Sequence, residues 1–296
     1  MHLSALEGSC RKWFPLGAHS RWNESKKALG PRPKFADESS VNPSVKPPTM
    51  NSRKRQPSSQ DLEVADQSFE RSHPIANESI AMITRPGGQI AEQFRSLRNS
   101  ISALNPDGAP RTVVVTSSLR GEGKTVACLN LGVAMTELPG THVLIVGADL
   151  HRPMVEEYLG LPQRQGLTEL LRGTCSIDQA IRQTSIPNLS ILAPGALPTN
   201  PSELLGSDRM RTVLNSLKQR YSYVLVDTPD ALSTNDAGLL GSMADGILLV
   251  VRLGHTPRYY VEQTNNALEA LGGNVLGTCL TGANITDTSS HYPKQR

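Results

Sequence analysis

A chain of 296 residues with 38% apolar and only 4% aromatic side chains is long enough to bury a core of Leu, Val, Ile and Ala, a composition that suits strands covered on both faces. Its four cysteines, Cys10, Cys128, Cys175 and Cys279, are far apart with no CxxC pair, which excludes a zinc ribbon or a disulfide scaffold, and no stretch reaches the ~18 apolar residues of a membrane span. The net charge of +3 hides an asymmetry, because residues 1–60 hold 11 Lys or Arg against 4 Asp or Glu and the remainder holds 19 against 23.

The basic excess therefore belongs to the N-terminal arm. That arm is rich in Pro, Ser and Lys/Arg ("GPRPKFADESSVNPSVKPPTMNSRKRQPSSQ") and buries too little surface to offset its ordering entropy. A disordered arm over residues 1–75 is expected. "SRKRQP" is too short to define a nucleic-acid site, so no specific nucleic-acid partner is expected. The N-terminus lacks the apolar run of a secretory signal, and the expected location is cytoplasmic.

From residue 85 the pattern becomes regular. "IAEQFRSLRNSISAL" places Ile90, Phe94, Leu97, Ile101 and Leu104 at helical spacing, and "NPDGAP" ends that helix. Strand-like runs follow at "TVVVTS", "HVLIVG", "LSILAP", "YVLVDTP", "GILLVVR" and "NVLGTCL", separated mostly by helical stretches. The alternation predicts an α/β domain over residues 80–286, a mostly parallel sheet with helices on both faces, and a short tail over 287–296.

At the end of the first strand stands "TSSLRGEGKTVACLNLGVAM". Gly121, Gly123, Lys124 and Thr125 form the back half of a phosphate-binding loop in which Ser118 occupies the place of the first glycine of GxxxxGK[ST]. The candidate nucleotide-binding set is Ser118, Gly121, Glu122, Gly123, Lys124, Thr125 and Val126. Glycines let backbone N–H groups curl around phosphates, Lys124 brings positive charge to the β and γ oxygens, Thr125 offers a hydroxyl to Mg²⁺, and the helix that follows points its N-terminus at the anion. A plain strand-to-helix turn competes poorly once "YVLVDTPD" is added, since its apolar strand ends in Asp227, the acid that orders Mg²⁺ or its water in P-loop NTPase folds. ATP and Mg²⁺ are the expected cofactors, with Thr125 and Asp227 at the metal.

The segments "EQFRSLR", "TSSLRGEGKT", "VLIVGADLHRP", "GLTELLRG", "PGALPTNPSELLGSDRM", "YVLVDTPD" and "NDAGLLGSMADGILLVVRLGHT", in this order and spacing from about Ile83 to Asn284, resemble the bacterial tyrosine kinases of the capsular and exopolysaccharide co-polymerase family. The resemblance implies MgATP-dependent autophosphorylation on tyrosine within a ring of subunits. It also implies control of polysaccharide length or export through a transmembrane co-polymerase adaptor, which would recruit the chain to the inner face of the membrane. Residue by residue, it puts Glu92, Arg95 and Arg98 at the subunit interface. Lys124, Asp149 and Asp227 fall in the catalytic machinery, and Tyr292, the single tyrosine of the tail, is the candidate phosphoacceptor. Spacing alone reads Glu92, Arg95 and Arg98 as one polar helix face.

The chain departs from the family's Asp-x-Asp-x-Arg element. Here the run reads Gly147, Ala148, Asp149, Leu150, His151, so the first acid and the arginine are both replaced. A positioned general base contributes ~10²–10⁴ in rate, whereas nucleotide affinity comes from the loop, its lysine and the metal. MgATP binding is therefore expected to persist, with turnover resting on Asp149 and Asp227. Thr281 stands where the family has an asparagine near the base, with Asn284 as a possible substitute, and Tyr259 and Tyr260 are expected to pack at the start of a helix. Two alternatives to a kinase follow: an ATP-binding regulator that has lost catalysis, and a positioning ATPase related to the cell-division and plasmid-partition proteins. The second is disfavoured by Leu119 at the place of those proteins' leading lysine.

Overall fold

The computed structural model describes residues 77–283. The predicted arm over 1–75, the tail with Tyr292, and Asn284 lie outside the described residues. Within them, seven strands form one sheet: β1 (Arg111–Ser117), β2 (Val143–Gly147), β3 (Ile181–Gln183), β4 (Leu189–Leu192), β5 (Tyr223–Asp227), β6 (Gly246–Arg252) and β7 (Val275–Thr281). Their spatial order is β3-β4-β2-β5-β1-β6-β7. Every neighbouring pair is parallel except β3 with β4.

The apolar runs become strands because both faces are covered. Along β1, Val113 and Val115 enter one core cluster and Val114 the other. Val143 and Ile145 of β2 and Tyr223 and Leu225 of β5 join the first, while Leu144, Val146, Val224 and Val226 join the second. This is the period-two alternation of a strand buried on both sides.

The first face is covered by α1 (Ala81–Thr84), α2 (Gln89–Ala103), α3 (Lys124–Thr136) and α4 (Val155–Leu159). The second is covered by α5 (Leu167–Arg172), α6 (Ile177–Ala180), α7 (Pro201–Leu205), α8 (Asp208–Lys218), α9 (Asp236–Met243) and α10 (Arg258–Ala270). In α8 the buried Met210, Val213, Leu214 and Leu217 recur at helical spacing, each worth roughly 1.5–3 kcal/mol of burial. Its first turn is held by Ser207, whose side chain accepts from the Met210 amide at 3.3 Å. In α3 nearly every residue from Ala127 to Met135 is buried. Gly132 lets that helix approach β2 closely, since a Cβ there would sit 2.6 Å from the Ile145 Cδ1.

Three local expectations are corrected. The antiparallel β3 carries no sequence signal because it is three residues long, two half-buried and Gln183 exposed, and follows directly on α6. In α2 the buried face is Ala91, Phe94, Leu97 and Ile101, whereas Ile90 and Leu104 are exposed. Tyr259 and Tyr260 do begin a helix, α10, but they do not pack into the core: Tyr259 is 68% exposed and Tyr260 38%.

In this strand order the chain moves to one side of β1 through β2 and to the other through β6. Such a reversal opens a crevice at the carboxyl ends of the strands, where open α/β sheets bind ligands.

Candidate functional site

The loop from Ser118 to Gly123 leaves β1 at this crevice and delivers the chain to the N-terminus of α3. Gly121 and Gly123 have φ of +82° and +89°, the left-handed region that residues with a Cβ rarely occupy. The curl is braced from several directions. The Ser117 hydroxyl donates to the Leu119 carbonyl at 2.8 Å. The buried Glu122 accepts the Leu119 amide at 2.8 Å through Oε2 and the Thr256 hydroxyl through Oε1. From the end of β7, the Thr281 hydroxyl donates to the Glu122 carbonyl at 2.7 Å, and Arg252 donates to the Gly121 carbonyl at 3.3 Å. Burial pushes the Glu122 carboxyl up from its ordinary value, and the backbone amides around it oppose that push.

The sequence groups Glu122 with the nucleotide-binding residues, and in the fold its side chain is a buried brace of the loop. Thr281 is likewise committed to the loop through its hydroxyl.

Three strand ends bring the acids together. Register pairs Asp227 of β5 with Val115 of β1 on one side and Gly147 of β2 on the other. Thr125 Oγ1 donates to Asp227 Oδ2 at 2.8 Å, and Lys124 Nζ lies 3.3 Å from Asp149 Oδ2. Asp149 Oδ1 accepts the amides of His151 at 3.3 Å and Arg152 at 2.9 Å, so the turn after β2 fixes its direction. Burial raises the Asp149 carboxyl against the pull of Lys124. Asp227 is fully buried, and desolvation pushes it up to about 7, offset by Lys124 and Thr125 and reinforced by Asp149.

His151 pairs with Asp236 through Nε2 and Oδ2 at 2.9 Å, and Asp236 is completely buried at the start of α9. This contact ties the turn after β2 to the helix after β5. Position 147 is constrained by its neighbour: a Cβ there would lie 2.7 Å from Cδ and 2.9 Å from Cγ of Pro194. The space next to Asp227 that an acid would need is occupied by a proline ring.

Two buried polar atoms in this crevice, Asp227 Oδ1 and Ser118 Oγ, have no hydrogen-bond partner among the described residues. Buried polar groups are ordinarily satisfied. An orphaned carboxylate oxygen beside the Thr125 hydroxyl, at the mouth of a glycine-curled loop, fits a hard cation and phosphate oxygens.

Glu92, Arg95 and Arg98 lie apart from this crevice and are engaged within the chain. Arg95 grips both oxygens of Glu137, at 2.6 and 2.8 Å, and also reaches Glu92 at 2.6 Å and the Pro86 carbonyl at 2.8 Å. Arg98 reaches Glu137 at 2.9 Å and the Ala134 carbonyl at 3.1 Å. Both arginines thus brace α2 against the C-terminal end of α3, and Glu137, held low by Arg95, is a partner that the sequence reading did not find.

Residues 111–271 match the family model described as an AAA domain. The tyrosine-protein kinase YwqD of Bacillus subtilis (strain 168) is 32% identical over 213 residues, a match covering 72% of this chain and 90% of YwqD. Among solved structures, the kinase domain of the Escherichia coli tyrosine kinase ETK aligns with a TM-score of 0.68 at 27% identity, over 79% of this chain and 91% of that domain. The septum site-determining protein MinD from Pyrococcus horikoshii OT3, complexed with Mg-ADP, aligns less well, with a TM-score of 0.50 at 28% identity over 58% of this chain and 70% of that one. The mostly parallel sheet, the glycine-curled loop after β1 and these likenesses agree: the chain belongs to the family of bacterial tyrosine-protein kinases.

Proposed function

We propose that the chain transfers the γ-phosphoryl group of ATP to tyrosine, on itself first, within the assembly of a capsular or extracellular polysaccharide. The reading rests on the meeting of Lys124 with Asp149 at 3.3 Å and of Thr125 with Asp227 at 2.8 Å past the ends of β1, β2 and β5.

In this reading the amides of the loop from Gly121 to Thr125 cradle the phosphates, with the N-terminus of α3 behind them. Lys124 exchanges Asp149 for the phosphate oxygens. Asp149, oriented by the amides of His151 and Arg152, accepts the phenolic proton, and its raised affinity for a proton brings it closer to the operating pH of a useful base. Magnesium, held by Thr125 and Asp227, would neutralise charge on the transferring group. The chain works with a transmembrane co-polymerase that brings it to the inner face of the membrane, and copies assemble side by side through the α2 face that carries Glu92.

Gly147 favours a second reading. With Pro194 against it, the site has one acid fewer than the family's pattern, as a nucleotide-gated regulator without catalysis would.

One assay separates the two: incubation of the full chain with labelled MgATP, alone and with an added glutamate-tyrosine copolymer, beside Lys124→Met and Asp149→Asn variants and with nucleotide binding measured on each. The kinase reading expects label on tyrosine in wild type, background in Lys124→Met and a loss of ~10²–10⁴ in Asp149→Asn. Wild type that binds ATP and labels neither itself nor the copolymer establishes the regulator.

A further inference from the structure

We infer that Tyr259 is a phosphoacceptor of this chain, phosphorylated by a second copy. The inference rests on the kinase reading and adds the residue that receives the phosphate.

The chain has six tyrosines. Tyr223 is buried and its hydroxyl accepts from Asn105 Nδ2 at 3.2 Å. Tyr158 and Tyr221 are half-buried against the two core clusters. Tyr292 lies outside the described residues. Tyr259, at 68%, is the most exposed tyrosine of the described residues, and its ring meets that of Tyr260 in a T-shaped arrangement, with centroids 5.6 Å apart at 65°. A phenol must leave its own packing to reach another molecule's phosphate, and Tyr259 has little packing to leave.

Its position supports the same role. The turn between β6 and α10 is the one whose Thr256 holds Glu122 of the phosphate loop, and Leu253 in it donates its amide to Thr281 at 2.9 Å. Tyr259 therefore stands at the rim of the crevice, on backbone fixed to the sheet and directed outward, so its donor is another copy. The first turn of α10 holds no acid, and Arg258 precedes the ring. A phosphate dianion there meets the N-terminus of a 13-residue helix, and the acid three residues on, Glu262, is paired with Arg258 at 2.8 Å.

In the transfer, the Tyr259 phenolic oxygen forms a bond to the γ-phosphorus of ATP held by the second copy. The bond from that phosphorus to the β,γ-bridging oxygen breaks and ADP leaves. The phenolic proton passes to Asp149 of the second copy and then to water.

The test mixes wild-type chain, as donor, with a size-tagged Lys124→Met chain, as acceptor, in labelled MgATP, with the glutamate-tyrosine copolymer in a parallel reaction. Tyr259, Tyr260 and Tyr292 share the tryptic peptide 259–294, so fragment ions assign the phosphate among them. The expected result is phosphate on Tyr259 of the tagged chain. It is lost when the acceptor also carries Tyr259→Phe and retained with Tyr260→Phe, while copolymer labelling by a Tyr259→Phe donor equals that of wild type. Label on Tyr260 or Tyr292 alone, or copolymer labelling without acceptor labelling, overturns the proposal and leaves the kinase reading standing. Label on neither protein nor copolymer removes both.

Discussion

The hydroxyl of Thr281, at the far end of β7, donates to the main-chain carbonyl of Glu122 in the phosphate loop at 2.7 Å, across 159 residues of sequence. The last strand of the sheet thereby sets the curl of the loop that follows the first. Replacing Thr281 by Val keeps the shape and removes the donor, a loss of about 1 kcal/mol. If the curl prepares the loop for phosphates, Thr281→Val weakens ATP binding about fivefold in Kd, read by titration of a fluorescent nucleotide. An unchanged Kd would limit the contact to stability.

Asp227 gives the apo protein a pH dependence of definite sign. Its carboxyl titrates near 7 in the folded chain against an ordinary 3.8, so the folded state holds the proton more tightly than the unfolded one. Its contribution to stability is complete below about pH 4 and is lost as pH rises through about 7. Asp227→Asn removes the charge while keeping an oxygen for Thr125. The Tm difference between variant and wild type is expected to grow between pH 5.5 and 8.5 in the variant's favour, and Mg²⁺ with nucleotide is expected to narrow it in wild type alone.

Gly147→Asp, the substitution that would restore the family's acid, meets the ring of Pro194. Overpacking of that kind costs about 1–3 kcal/mol. The single variant is expected to melt below wild type, and Gly147→Asp with Pro194→Ala to recover most of the loss. If the missing acid limits turnover, the double variant labels faster than wild type while Pro194→Ala alone does not.

Glu137 holds Arg95 and Arg98 within one chain. These are partly exposed pairs, so Glu137→Ala lowers stability by only about 0.2–1 kcal/mol each. Should the α2 face join copies, the released guanidinium groups become available to a neighbour, and light scattering will show a larger assembled fraction in Glu137→Ala than in wild type. A lowered Tm with unchanged mass would make the arginines internal braces and nothing more.

Much of this was legible in the sequence because its signals are local. The runs Val143–Val146 and Tyr223–Val226 declare buried strands within five residues, and the glycines before Lys124 declare the loop. What was not legible depends on contacts between distant segments. Glu122 reads as one more loop residue until Thr256 and Thr281 are brought to it, Glu137 reads as a helix end until Arg95 folds back on it, and Gly147 reads as a lost acid until Pro194 fills the space. Tyr259 misled for the same reason, since helical spacing places a residue on a face but leaves open what covers that face.

The burial of α3 on nearly all sides has a consequence for how a bound nucleotide would leave. A helix packed this deeply exposes its amides to hydrogen exchange only in openings close to global unfolding. The amides of Ala127 to Met135 belong to the slowest class of the domain, and this part of the helix cannot fray to release a ligand. Movement must come from the opposite limb, Leu119 to Glu122, which is held by hydrogen bonds from the side chains of Ser117, Arg252, Thr256 and Thr281 rather than by helix packing.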